Sequence, residues 1–173
     1  MKLHALALAA ISVSFLSAAQ AQSDSYTFSG SLTTTDAVFN RPFTLTSLST
    51  SGTAVRYDLA SLLGITPGTY TFRMASTAFD PFLLLYAGTF NPATPLVNLV
   101  ALNDDFTSGI PSPAGFSFNL LAGVNYTVVS TAFSNAGLGS YITTVVPEPG
   151  TYALMGLGLA LLGVAVRRRT AQA

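Results

Sequence analysis

The stretch FLLLY at residues 82–86 is an uninterrupted apolar run of strand length. Pro81 and Gly88 bracket it too closely for a helix of ordinary length. The run also lacks the alternation of apolar and polar residues that a strand with one solvent-exposed face shows, so it fits a strand that is covered on both faces. This stretch therefore predicts the central strand of a β-domain.

Short runs of β-branched and aromatic residues lie on both sides of that strand. VRYDL at 55–59 has apolar residues at odd positions and charged residues at even ones, which is typical of a half-buried strand. YTFRM at 70–74 repeats the pattern directly after the turn sequence TPG at 66–68. Further runs of strand length lie at 26–28, 38–39, 43–45, 96–102, 116–120, 126–129 and 141–145.

Short strands separated by turn residues, without a convincing helix, predict an all-β antiparallel sandwich of about eight strands. The sequence AGVN at 122–125 is typical of a hairpin connection between the strands on either side of it. Residues 58–65 are the weakest part of this prediction, because their leucine spacing also fits a single helical turn. We expect these residues to belong to the sandwich as well.

The residue types available between the two ends of the chain exclude several functions. Three arginines stand against six aspartates, a balance of 3 − 6 = −3, so neither nucleic acid nor an anionic lipid surface is an expected partner. There is no cysteine, and the one histidine is His4. A mature chain without either residue forms no Ser-His-Asp or Cys-His arrangement and no ordinary zinc site. No spacing selects the carboxylate pair of a glycosidase, so we expect no enzymatic activity.

The N-terminal residues 1–21 have the features of a secretory signal peptide. Lys2 precedes a long apolar run, and Ala19 and Ala21 match the small-x-small pattern of a cleavage site. An N-terminal core helix is the alternative, but the segment lacks the polar face of a packed surface helix. The exported domain, without cysteine, is then expected to be held together by burial alone.

Four polar residues form the one cluster that suggests a ligand. Asp80 precedes the central strand, and Asn103, Asp104 and Asp105 follow a later apolar run. Oxygen donors on loops suit Ca²⁺, so these residues are a predicted calcium site. The alternative is that Asp80, Asn103 and Asp104 only shape turns by bonding nearby backbone groups.

The C-terminal residues 146–173 combine a proline-rich motif, an apolar run and a basic cluster. Two prolines in VPEPG at 146–150 disfavour both strand and helix, so we expect an extended, accessible linker after a folded domain of residues 22–145. The apolar run at 151–166 is marginally short for a bilayer core, but extended from Gly150 to the first arginine it can just span as a helix. The basic cluster would then stay in the cytoplasm; it consists of Arg167, Arg168 and Arg169. A permanent single-pass anchor is the alternative.

The middle of the chain resembles the bacterial pre-peptidase C-terminal domain family. The resemblance rests on FDPFLLLY at 79–86, LNDD at 102–105 and LAGVNYTVV at 121–129, which occur in that order. It implies a jelly-roll-like sandwich that serves as an accessory domain of secreted proteins. Members of the family sometimes bind calcium or assist with polysaccharide or protein substrates.

The tail resembles the PEP-CTERM sorting signal. The resemblance rests on Pro147, Glu148 and Pro149, followed by the apolar run and the terminal arginines. It implies recognition by an exosortase, a membrane protease-transpeptidase of Gram-negative bacteria that also make extracellular polysaccharide. The protein is then expected to insert transiently in the inner membrane and to reach the cell surface or the extracellular matrix, with a role in exopolysaccharide or biofilm. A carbohydrate- or calcium-binding accessory module is the alternative.

Overall fold

The computed structural model describes residues 25–106 and 112–148, and within these ranges the chain forms β-strands and no helix. No helix in these ranges could therefore cross a membrane. The strands are β1 (Tyr26–Leu32), β2 (Val38–Phe39), β3 (Pro42–Thr44), β4 (Ser47–Leu48), β5 (Val55–Leu62), β6 (Gly68–Ala75), β7 (Pro81–Ala87), β8 (Leu99–Asn103), β9 (Ala114–Leu120), β10 (Tyr126–Ala132) and β11 (Gly139–Pro147). The predicted signal peptide with Ala19 and Ala21, the predicted membrane helix, Pro149 and Arg167, Arg168 and Arg169 lie outside the described residues.

The strands form two antiparallel sheets and a small hairpin. One sheet has the order β1-β11-β6-β9, the other has the order β2-β5-β10-β7-β8, and β3 pairs with β4. The eight strands of five or more residues, β1 and β5 to β11, have the sheet order of two interlocked Greek keys, which is the strand order of a jelly roll. Successive strands of this set change sheet, except for β7 and β8. The predicted all-β antiparallel sandwich is confirmed.

The main core lies between the two sheets. Phe72 and Met74 from β6 pack in one cluster with Leu83 and Leu85 from β7 and with Val128 from β10, and all five side chains are fully buried. Apolar burial at about 25 cal/mol per Å² is the main force that holds such a sandwich together. Among the described residues this force acts without help from a disulfide, because the chain has no cysteine.

Strand β7 is buried on both faces, as the run at 82–86 predicts. The side chains that alternate with its core residues point to the opposite side of the sheet, where Phe82, Leu84 and Tyr86 form a second apolar cluster. This cluster is covered by Phe39 of β2 and by Phe90, whose ring centroid lies 4.9 Å from that of Tyr86. The five-stranded sheet therefore has apolar layers on both sides, whereas the four-stranded sheet has an exposed outer face.

Three local predictions have different outcomes. Residues 55–62 continue as strand β5, so the helical turn considered for 58–65 does not form. The strand predicted from residue 96 begins only at Leu99, because Asn98 has a φ of 63° and residues 95–98 form a turn. The hairpin predicted at 122–125 is wrong: β9 pairs with β6, and β10 pairs with β5 and β7 in the other sheet. The turn itself forms as its composition predicts, but the composition does not determine which sheet the next strand joins.

Candidate functional site

The first residues of the proline-rich motif belong to the last strand of the sandwich. Strand β11 lies between β1 and β6 as far as Val145, and its register with β6 continues through the pairs Val146/Thr71 and Pro147/Tyr70. The expectation of a free linker from residue 146 onward is therefore wrong for these two positions.

The position of Pro147 explains how a proline fits into this strand. The backbone N–H of Glu148 donates a hydrogen bond of 2.8 Å to the carbonyl of Thr69 on β6. Neighbouring residues of a strand direct their N–H groups to opposite sides, so the position of Pro147 faces away from β6. On that other side the register with β1 ends at the pair Tyr26/Val145. Proline is tolerated where a strand lacks a neighbour to receive its N–H, which is the situation here.

The side chain of Glu148 is also held against the sandwich. The hydroxyl of Thr71 donates a hydrogen bond of 3.1 Å to Oε1 of Glu148, on the exposed outer face of the four-stranded sheet. The same hydroxyl lies 3.2 Å from Oγ of Ser117 on β9. Strand β6 therefore fixes both the backbone and the carboxylate of the central motif residue.

Comparison with known families identifies this tail. A family model described as the PEP-CTERM protein-sorting motif matches residues 145–169. The tail is an exosortase sorting motif. A motif of this kind implies an exported protein that an exosortase processes and that is sorted to the cell surface. Its first three matched residues, 145–147, are strand residues of the sandwich. A comparison with curated proteins gives no match, and the resemblance to the pre-peptidase C-terminal domain stays a prediction.

The predicted calcium residues lie near one another, because β8 pairs with β7 directly after Asp80, but Asn103 makes other contacts. Its Oδ1 accepts hydrogen bonds from the backbone N–H groups of Asp104 and Asp105, at 2.9 and 3.3 Å. Its Nδ2 donates to the carbonyls of Asp105 and Gly115, at 3.0 and 2.9 Å. Asn103 therefore shapes the turn and connects it to β9, which is the alternative that the sequence left open for it.

The charged groups of the cluster act on Asp80. Partial burial raises the pKa of Asp80, the charges of Asp104 and Asp105 raise it further, and the charge of Arg41 opposes this shift. Within residues 25–106 and 112–148 no three His, Cys, Asp or Glu side chains are arranged to hold a metal ion. The calcium site stays a prediction.

Arg41 is a buried cation that the sequence does not reveal. Its side chain is fully buried, with the guanidinium carbon 4.1 Å from the ring centroid of Phe82 and 4.4 Å from that of Phe133. Nε donates to the carbonyl of Phe133 at 2.9 Å, and one terminal nitrogen donates to the carbonyl of Pro42 at 3.1 Å. Burial lowers the pKa of Arg41, while the charges of Asp104 and Asp80 raise it. This fixed positive charge beside the acidic cluster disfavours a second cation there.

An open groove of about 530 Å³ lies where the edges of β1 and β5 face each other. The hydroxyl of Tyr141 donates a hydrogen bond of 2.8 Å to Oδ2 of Asp58 at this groove. The contact depends on Gly30, because a Cβ there would lie 2.5 Å from the tyrosine oxygen and 2.9 Å from the carboxylate oxygen. Burial, followed by the hydrogen bond and charge of Asp58, raises the pKa of Tyr141, so its phenol remains a hydrogen-bond donor.

The sequence gives a partial indication of this groove. Asp58 alternates with Ala60 and Leu62, which face the main core. A charged residue on the core side of a strand requires a partner, but the partner lies on β11, far away in the sequence.

Proposed function

We propose that this chain is a non-enzymatic surface or extracellular-matrix protein that an exosortase sorts and that associates with exopolysaccharide, as in a biofilm. Its tail inserts transiently in the inner membrane of a Gram-negative bacterium before processing. The observation that carries the proposal is the sorting motif at residues 145–169, which continues directly from the last strand of a sandwich.

The absence of enzymatic activity is supported by the residue types of the chain. After removal of a signal peptide no histidine or cysteine remains to act as a general base or nucleophile. In the groove the paired Tyr141 and Asp58 hold a proton at the phenol oxygen, and the raised pKa of Tyr141 opposes its use as a base. Such a pair suits hydrogen bonding to a polar ligand better than bond cleavage.

The choice of a polysaccharide as partner is supported by the outer face of the four-stranded sheet. Its side chains are mostly short and carry hydroxyl or amide groups; they include Thr27, Ser29, Ser31, Thr69, Thr71, Ser117, Asn119, Ser140 and Thr144. An extended row of such groups offers donors and acceptors to the hydroxyls of a sugar chain. A purified fragment of residues 22–148, which contains all of β11, should bind matrix polysaccharide on a glycan array. Failure across neutral and acidic polysaccharides would remove this part of the proposal.

Processing is tested by replacing Glu148 with alanine in the full chain. Loss of the central motif residue should leave a full-length, membrane-retained precursor in cells that contain an exosortase. Ser140→Ala is the matched control, because Ser140 is exposed on the same strand but lies outside residues 145–169. Precursor and product are distinguished by their mass on an immunoblot. Normal maturation of the Glu148→Ala variant would contradict sorting by this motif.

A further inference from the structure

Residues 146–148, here called the motif start, are bound to the domain that the sorting system has to release. Val146 and Pro147 are in register with β6, and the N–H of Glu148 donates to the carbonyl of Thr69. The carboxylate of Glu148 accepts a further hydrogen bond from Thr71. The groups by which a protease would recognise this segment are therefore already engaged.

We propose that the folded sandwich restrains its own processing, because the motif start has to detach from β6 before the exosortase can bind it. This inference rests on the proposed function. A protease needs the backbone and side chains of its substrate to be free on several sides, whereas β6 occupies one edge of this segment. The chain also leaves little distance: only Pro149 and Gly150 separate Glu148 from the apolar run, and two residues reach about 7 Å at most.

Detachment has a natural limit inside β11. The motif start pairs with β6 alone, and Val146 is 46% exposed, so opening this segment uncovers little apolar surface. Val145 is fully buried and pairs with strands on both sides, so opening should stop there. Strand ends open locally at a small free energy compared with global unfolding. The restraint therefore lowers the fraction of chains in which the motif start is free, and it is not an absolute block.

Thr71→Val tests the side-chain contact, because valine keeps the shape of threonine but cannot donate to Glu148. The open segment should be more populated, and processing should be about twofold to tenfold faster, the range for losing one hydrogen bond. Ser117→Ala is the control, since it removes the neighbouring hydroxyl and leaves the Thr71 to Glu148 contact in place. An increase in rate is also the opposite of what Glu148→Ala should cause.

A reversible disulfide between the motif start and β6 gives the sharper test. The chain has no cysteine, so Thr71→Cys with Val146→Cys places one possible disulfide across a directly opposed pair at the motif start. Opposed residues of antiparallel strands lie about 5 Å apart at Cα, within the range of a disulfide. Ala75→Cys with Ile142→Cys is the matched control, because it joins the same two strands at an exposed pair upstream of the motif.

Both full-length variants are compared in membranes that contain an exosortase, with and without a reductant. The oxidised 71/146 variant should be processed at least about tenfold more slowly than its own reduced form, which lacks the Thr71 hydroxyl and so should be at least as fast as the parent. The oxidised 75/142 variant should behave as the parent. Parental processing of the oxidised 71/146 variant, or equal inhibition of both variants, would overturn the proposed detachment. Failure of the sorting proposal itself is recognised separately, by normal maturation of Glu148→Ala.

Discussion

Replacing Arg41 with alanine should strongly destabilise the sandwich. The guanidinium donates two hydrogen bonds to backbone carbonyls and lies between the rings of Phe82 and Phe133. Hydrogen bonds of a charged group contribute about 1.5–3 kcal/mol each. Desolvated cation–π contacts contribute about 2 kcal/mol each. Desolvation of the cation opposes these gains by several kcal/mol.

The expected net loss for Arg41→Ala is about 3–5 kcal/mol in the free energy of unfolding, since the alanine also removes the donor to the carbonyls of Phe133 and Pro42. Arg41→Lys is the matched control, because it keeps the charge but loses the flat guanidinium that stacks between the rings. It should lose about 2 kcal/mol, intermediate between alanine and the parent. Urea titration of residues 22–148, followed by circular dichroism and analysed as a two-state transition, gives all three values.

Gly52 provides an independent check on the same packing. A Cβ at this position would lie 2.5 Å from Nε and 2.8 Å from Cγ of Arg41. Gly52→Ala should therefore destabilise the parent by about 1–3 kcal/mol through overpacking. In the Arg41→Ala background most of this loss should disappear, which gives a coupling of at least about 1 kcal/mol. Additive losses, or an Arg41→Ala variant within about 1 kcal/mol of the parent, would refute the reasoning.

Two further predictions concern the groove and the acidic cluster. Gly30→Ala should cost about 1–3 kcal/mol in urea titration, because its methyl group would lie 2.5 Å from the hydroxyl oxygen and 2.7 Å from Cζ of Tyr141; the loss should be smaller in a Tyr141→Ala background, which removes the ring, and equal losses in both would contradict the described contact. Asp80→Asn should raise stability at pH 7 by less than about 1 kcal/mol, since the folded state raises the pKa of this exposed carboxyl. That gain should shrink as pH falls through the raised pKa of folded Asp80 and should vanish below the ordinary pKa of aspartate, where folded and unfolded chains both carry the proton. A gain that turns into a loss when Ca²⁺ is added, and returns with a chelator, would instead establish the calcium site.

Particular residues show why some features were predictable and others were not. The run at 82–86 predicts a strand buried on both faces, because all five of its residues are apolar and neither face offers polar side chains to water. The alternation at 55–59 also predicts a strand, but it does not show which face of that strand meets the main core. Val55 and Tyr57 lie in the second apolar cluster outside the sandwich, and the even positions that lead to Leu62 face the main core. A period of two identifies two faces without saying which one meets the other sheet.

The features that sequence did not predict all depend on distant partners. Arg41 is buried because rings from β7 and from the segment after β10 enclose it, and nothing within a few residues of Arg41 signals this. Pro147 fits into a strand because β1 begins opposite Val145. No strand therefore lies beside Pro147 on the side where its backbone N–H would otherwise point. Proline rules apply to a position in a sheet, and that position is set by the topology.

The place of β11 between β1 and β6 has a consequence for the order of events during biosynthesis. A chain that crosses a membrane from its N-terminus delivers β1 first and β11 last. Until β11 has emerged, β1 has no partner strand and one edge of β6 stays open, because β11 pairs with both. Contacts between such distant parts of a chain form slowly. The four-stranded sheet therefore closes only when the sorting motif itself arrives, so completion of the fold and presentation of the motif are coupled in time.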